Sequence, residues 1–247
     1  MFSSLTVFVM ATNETDSLRE TILKIRENCG SSDLKKIVIV VRNEDCASYY
    51  EAKKLIAESA DNKIDVYVQK SQDSVRCVYE FPFLAEGSHF VIMGADLEMD
   101  PENIKDFVAE AKKSPETIIC ASKWMRDSVV EGYGTFHEWG SRLMNTFVAF
   151  LFNAKEKDIF SLYQIYPVSV YKKMNFSNPA TFVYEYTLKP LRTGIEYKEI
   201  PTVYKKRSEG KSTVNIPFMF KLALNFCITA LRIRFTPKRY LNEEKPN

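Results

Sequence analysis

Phe90-Val91-Ile92-Met93-Gly94-Ala95-Asp96-Leu97-Glu98-Met99-Asp100-Pro101-Glu102 is the stretch on which the reading of this chain turns. A short apolar run that ends at a glycine reads as a buried strand. Asp100-Pro101-Glu102 reads as a helix start, with aspartate as N-cap, proline at the first helical position and an acid in the first turn. Asp96 and Glu98 then stand at the carboxyl end of a core strand, where open α/β sheets hold their ligands. Two hard oxygen ligands two residues apart on an extended segment point the same way. They suit one Mg²⁺ or Mn²⁺ that also holds a diphosphate. A solvated acidic loop has the same composition, so the stretch by itself leaves both readings open.

The 247 residues make one large domain or one domain with an appendage, and 45% hydrophobic residues supply a sizeable core. A net charge of +2 gives no reason to expect nucleic acid as the main partner. The cations gather late, however: Lys205, Lys206, Arg207 and Lys211, then Arg232, Arg234, Lys238 and Arg239. That distribution suits a phosphate-rich ligand or an anionic membrane surface, or else a solvated basic tail. The five cysteines are scattered without a CxxC pair, which points to neither a zinc site nor a disulfide framework and fits a reducing compartment. Residues 5–11 lack the basic lead-in and the length of a signal peptide and read as a strand.

Outward from residues 90–93, strands are predicted at 5–11, 37–41, 64–69 and 117–122. Residues 12–16 end the first strand and cap a helix running to about 28, and further helices run to about 60, from about 74 to 85, and to about 113. This alternation means βαβ units and a largely parallel sheet with helices on both faces. After residue 122 the rhythm changes to a charged, glycine-containing loop over 123–134, a long apolar helix over 136–152 and a strand over 160–168. A helix over 180–192 follows, then a strand over 197–204 interrupted by Pro201, which marks an edge or a bulge. Residues 1–215 are expected to form the domain and 216–247 an apolar and basic helical tail. Within 217–235 the apolar residues are interrupted by Lys221 and Asn225, short of the roughly 20 clean residues of a span. An in-plane amphipathic helix fits, as does a helix packed on the domain or on a second subunit of a homo-oligomer.

Taken together these residues resemble the family 2 glycosyltransferases of GT-A fold, and within them the polyprenol-phosphate (dolichol-phosphate type) hexosyltransferases. The resemblance covers roughly residues 5–215. Asn13-Glu14 matches the nucleotide-binding Asn-Glu after the first strand. Gly94-Ala95-Asp96-Leu97-Glu98 falls where the family carries Asp-x-Asp, and Asp100-Pro101-Glu102 matches its Asp-Pro-Glu. Ala121-Ser122-Lys123-Trp124 stands at Gly-Ser-Arg-aromatic, and Glu131 to Ser141 keeps the spacing from an acid to a phosphate-contacting serine. Asp158-Ile159-Phe160-Ser161-Leu162-Tyr163 resembles Asp-Pro-Thr-Ser-Gly-Phe, and Arg207-Ser208-Glu209-Gly210-Lys211-Ser212 resembles the Arg-x-x-Gly-x-Ser-Lys loop. The chain departs from the family at Gly94, which replaces the first Asp of Asp-x-Asp. It departs again at Val41-Arg42-Asn43-Glu44-Asp45, where the family has Asp-Asp-Gly-Ser.

The resemblance implies an inverting transfer from a nucleotide-sugar donor at the cytoplasmic face of a membrane. Donor contacts are expected from Asn13, Glu14, Asp45, Asp96, Arg207 and Lys211, with Asp96 and Glu98 on the metal. Contacts to an acceptor phosphate are expected from Lys123, His137 and Ser141. Asp158 is the candidate for orienting the sugar's hydroxyls. A polyprenyl phosphate is already an anion and needs no strong base. A hydroxyl of a lipid-linked or surface glycan needs one, and Glu185 stands where relatives of that type place it. The departures at Gly94 and Arg42-Asn43 keep a third reading open, a catalytically weak nucleotide-sugar-binding subunit.

Overall fold

The computed structural model describes residues 1–70, 76–132, 135–176, 182–206 and 216–241. Strand β1 (Leu5–Ala11) is followed by α1 (Asp16–Asn28), β2 (Leu34–Val41), α2 (Ala47–Glu58) and β3 (Ile64–Val68). A 3₁₀ turn (Arg76–Glu80) and the short α3 (Phe81–Leu84) lead to β4 (His89–Gly94), α4 (Asn103–Lys113) and β5 (Ile118–Ser122). Then come β6 (Val129–Val130), α5 (Thr135–Phe152), β7 (Gln164–Pro167), α6 (Val168–Tyr171) and α7 (Phe182–Thr193). The last elements are β8 (Tyr197–Pro201), β9 (Val203–Tyr204) and α8 (Ile216–Phe235).

Seven strands form one sheet in the order β3-β2-β1-β4-β7-β5-β8, and β6 pairs with β9 in a second, two-stranded sheet. The pairs β1/β2, β1/β4, β2/β3 and β5/β8 are parallel. β7 alone runs against its neighbours, with Phe90 opposite Tyr166 and Ile119 opposite Ile165. The chain builds outward from β1 through β2 to β3 and then returns to the other side of β1 with β4. This reversal opens a crevice at the carboxyl ends of β1 and β4.

The period-two alternation of a strand assigns the two faces of the sheet to two cores. Leu5, Val7 and Val9 of β1 meet α1, α2 and α4 through Leu18, Ile22, Leu55, Ile104 and Phe107. Phe8 turns to the other face with Val40, Phe90 and Ile92, under Phe81, Tyr171 and Tyr186. That second core is aromatic. Phe8 stacks on Phe81 at 4.1 Å and Phe90 on Tyr166 at 5.0 Å, and Tyr171 lies 4.5 Å from Tyr186. Its buried hydroxyls find carbonyls, as buried tyrosines must: Tyr166 donates to Leu162 O at 2.8 Å and Tyr171 to Tyr186 O at 2.7 Å. The latter bond has a sequence cause. Pro190 lies inside α7 and has no N–H to give Tyr186 O four residues earlier, and the Tyr171 hydroxyl takes that place.

A third core joins α5, α7 and α8 through Val148, Tyr184, Leu188, Phe226, Ala230 and Ile233. Phe226, Ala230 and Ile233 recur at helical spacing on one face of α8. On its opposite face Leu224, Ile228, Leu231 and Phe235 are exposed. α5 repeats the pattern, burying Asn145 and Val148 and exposing Trp139, Leu143 and Phe150. No helix among the described residues is long and apolar enough to cross a membrane.

The strand expected over 160–168 narrows to β7, with Val168 already in α6, and two expected helices also differ. The helix after Asp100 starts at Asn103, not at Pro101. Asn103 N bonds Asp100 O and Ile104 N bonds Pro101 O, both at 3.2 Å, so the first turn is closed by i→i+3 bonds before the α pattern begins. Asp100 Oδ1 accepts the Glu102 N–H at 3.1 Å across that turn. The helix expected over 74–85 is, in its described part, a 3₁₀ turn followed by a four-residue helix with Pro82 in its first turn.

Candidate active site

β4 ends at Gly94, and the Ala95 N–H still reaches Met10 O of β1 at 3.0 Å. The chain then turns instead of staying extended. Leu97 has a φ of 60°, a left-handed conformation that costs an ordinary side chain about 1–2 kcal/mol. The Glu98 N–H closes the turn by donating to Asp96 Oδ1 at 3.2 Å. Asp96 and Glu98 are therefore brought together by a tight turn, both half-buried. Gly94 makes room for it, since a Cβ there would lie 2.9 Å from Asp96 Oδ1. The turn is tied on its far side to the strand that follows β8. Lys205 N donates to Glu98 O at 3.0 Å, and Met99 forms a bridge with Tyr204. Arg207 and Lys211, expected just beyond, lie outside the described residues.

The carboxyl ends of β1 and β2 make the neighbouring rim. Glu14 Oε2 accepts the N–H groups of Thr12 at 2.6 Å and Asn13 at 3.0 Å, which folds the carboxylate back onto its own loop. Ser48 of α2 donates to Glu14 O at 2.8 Å and fastens that loop to the next unit. Asn13 and Asp45 are exposed, as are Arg42, Asn43 and Glu44.

Beside the carboxylate turn lies a cavity of about 210 Å³, walled by Met99, Ala121, Lys123, Ser161, Tyr163, Thr202 and Tyr204 among others. Its frame is hydrogen-bonded throughout. Tyr163 donates to Asp100 O at 2.5 Å, Thr202 to Asn103 Oδ1 at 2.5 Å and Ser161 to Ala121 O at 3.3 Å. Burial pushes the Tyr163 hydroxyl's pKa far above its usual value, so it stays a proton donor. Lys123, the first residue after β5, pairs with Asp158 at 3.0 Å. Asp158 is 1% exposed.

Ser141 sits on α5, where its carbonyl accepts the Asn145 side chain at 2.9 Å. Asn145 in turn accepts the Phe160 N–H at 3.3 Å, tying α5 to the segment that carries Asp158. His137 belongs to the first turn of α5, and its side chain lies outside the described residues. A second cleft, of about 350 Å³, opens between α5 and residues 155–157. There the Arg142 guanidinium stacks 4.3 Å from the Trp124 ring centre and bonds Glu138. Glu185 stands apart from both cavities, within α7. Its Oε2 is 2.9 Å from Lys189 Nζ, and the two side chains are 4% and 7% exposed.

Sequence reading missed Thr202, Tyr204, Ser161 and Tyr163 as cavity walls. They come from two segments some forty positions apart, brought together by the pairing of β5 with both β7 and β8 and by the Met99–Tyr204 bridge. Among the described residues no cluster of three or more His, Cys, Asp or Glu side chains is placed to hold a metal.

The glycosyl transferase family 2 pattern matches residues 6–174. Among solved structures, the glucosyl-3-phosphoglycerate synthase of Mycobacterium tuberculosis bound to Mn²⁺, UDP and phosphoglyceric acid superposes with a TM-score of 0.66 at 9% identity. The match covers 95% of this chain and 80% of that one. The same enzyme with Mg²⁺ and UDP superposes at 0.65 and 9%, over 95% and 80% of the two chains. At such identity the likeness speaks for the fold, a GT-A arrangement. The family match spans the carboxylate turn, the Asn13-Glu14 rim and the Lys123–Asp158 pair, and the chain belongs to glycosyl transferase family 2.

Proposed function

We propose that the protein is an inverting, metal-dependent glycosyltransferase that moves a sugar from a nucleotide-sugar donor to a polyprenyl phosphate at a membrane surface. The observation that carries this reading is the juxtaposition of the Asp96-Glu98 turn with a cavity lined in part by Lys123. One feature suits a leaving diphosphate and the other an anionic acceptor. The Asn13-Glu14 rim and Asp45 take the nucleotide, with Arg207 and Lys211 on the diphosphate and His137 and Ser141 beside the acceptor phosphate.

Asp96 and Glu98 fit a hard divalent cation in chemistry. Two carboxylates make half a shell or less, which Mg²⁺ or Mn²⁺ tolerates by taking substrate oxygens and water. When bound, such an ion neutralises charge on the departing diphosphate. The solved M. tuberculosis structures hold Mn²⁺ or Mg²⁺ with UDP. The lysine and the loop cations supply the remaining positive charge.

A hydroxyl acceptor would require Glu185 as base. Its carboxylate is buried and held by Lys189, which favours the phosphate acceptor. The two exposed apolar stripes of α5 and α8, flanked by exposed Arg142, Arg232 and Lys238, support contact with an anionic bilayer.

Transfer from UDP-glucose and from GDP-mannose, with Mn²⁺, to a detergent-dispersed polyprenyl phosphate tests the reading, with 3-phosphoglycerate as the competing acceptor. A glycosylated lipid phosphate is expected. Product on 3-phosphoglycerate alone would overturn the proposed acceptor.

A further inference from the structure

The Asp158 carboxylate holds Lys123 twice through one oxygen. Oδ2 accepts the Lys123 backbone N–H at 2.8 Å and lies 3.0 Å from its Nζ. Two contacts from one residue to one atom fix the backbone at the end of β5 and curl the side chain over it. A lysine is ordinarily a mobile point charge on a four-carbon stem. This one has a side chain only 10% exposed, with the Tyr204 ring centre 5.3 Å from its ammonium. Asp158 is itself fixed from behind. Its N–H and that of Lys157 both donate to Glu199 Oε1, at 2.8 and 3.0 Å, and Glu199 belongs to β8, the parallel partner of β5.

The cavity wall contains Lys123 and Tyr204 but not Asp158. The second carboxylate oxygen, Oδ1, is buried with no hydrogen-bond partner. A group that orients sugar hydroxyls must be reached from the cavity, and this carboxylate lies behind the lysine.

We propose that Asp158 is a positioning residue: it holds the Lys123 ammonium in the cavity wall, so that an anionic phosphate group meets a fixed charge. The inference rests on the reading of Lys123 as a contact of the acceptor phosphate, and it replaces the sugar-orienting role for Asp158. A preset ammonium loses less freedom when the anion arrives, which is the usual gain from preorganisation.

Inorganic phosphate serves as the probe, followed in the full chain by ¹H–¹⁵N spectra of the lysine ammonium groups. The Lys123 signal is assigned by its loss in Lys123→Met. In the native protein it should persist at a pH where exposed lysines have exchanged away, and it should shift saturably with phosphate. Asp158→Asn should abolish that protection and weaken phosphate binding about tenfold, the loss expected for one charge-assisted contact. In the Lys123→Met background the same change should add less than about twofold, because its effect passes through the lysine.

Equal weakening in both backgrounds would show that Asp158 acts without Lys123 and would overturn the proposal. So would an unprotected Lys123 signal in the native protein, a result that needs no Asp158 variant to fold. If Asp158→Asn fails to fold, Asp158→Glu takes its place, with the lengthened side chain expected to move the Lys123 signal. A protected Lys123 signal that phosphate does not shift would remove the acceptor-phosphate reading, while its loss in the Asp158 variant would still identify Asp158 as the residue that holds the lysine.

Discussion

Glu185→Ala separates a structural carboxylate from a catalytic base. Glu185 Oε2 and Lys189 Nζ are 2.9 Å apart, four residues apart on α7, with side chains 4% and 7% exposed. The lysine also donates to Asn175 O and lies 5.6 Å from the Phe176 ring centre. Removing the glutamate leaves an ammonium buried beside apolar rings with one carbonyl for company. Breaking a buried pair on one side costs about 3–5 kcal/mol. For a chain of this size, at roughly 2–4 °C per kcal/mol, the melting temperature should fall by about 6–20 °C. Glu185→Leu combined with Lys189→Met removes both charges at similar volume. It should return to within about 2 kcal/mol of the native protein, the remainder reflecting the donor lost to Asn175 O. Thermal unfolding followed by circular dichroism, with chemical denaturation as a check, measures both variants. A Glu185→Ala protein that melts within about 2 °C of the native one would show that the pair is worth no more than an exposed one.

Two further outcomes concern the fold. Gly87→Ala places a Cβ 2.4 Å from Ser4 O, a backbone atom that already accepts the N–H groups of Ser88 and His89. The backbone must move, and a loss of about 1–3 kcal/mol in denaturant midpoint analysis is expected. Stability should also fall as the solution is acidified below about pH 6.5. His89 is buried, its Nε2–H donates to Pro115 O at 2.8 Å, and burial lowers its pKa below the ordinary value. The unfolded chain therefore takes up the proton first, so stability is present above the unfolded pKa and is lost as pH drops through the folded one. His89→Gln should flatten that part of the melting-temperature profile, and an unchanged slope would count against the assignment.

The parts of this protein that could be read from sequence are those whose physics is local. Residues 5–11 are apolar except for Thr6 because helices cover both faces of β1, and the strand's observed bounds are the expected ones. α8 likewise begins and ends where its apolar stretch does. The closeness of Asp96 and Glu98 was legible from their two-residue spacing, which the turn preserves. Their geometry was not, because the left-handed Leu97 replaces the extended segment that the apolar run before them implied. Asp158 and Lys123 were each legible as polar residues beside core strands. Their pairing spans 35 positions and depends on β7 entering the sheet antiparallel between β4 and β5. Glu185 and Lys189 stand at ordinary helix-surface spacing, and only the packing of α7 between the aromatic core and the α5–α8 core buries them.

Catalysis as proposed requires that the turn at Asp96 and Glu98 hold a divalent cation together with a nucleoside diphosphate. A thermal-shift panel of UDP, GDP, CDP and dTDP, each with and without Mn²⁺, tests it most directly, because a ligand that binds the native state raises its melting temperature by mass action. A rise is expected for one base, larger with Mn²⁺ and lost in Asp96→Ala, while the unliganded variant melts close to the native protein. No rise with any nucleotide, or a rise that Asp96→Ala leaves intact, would contradict it.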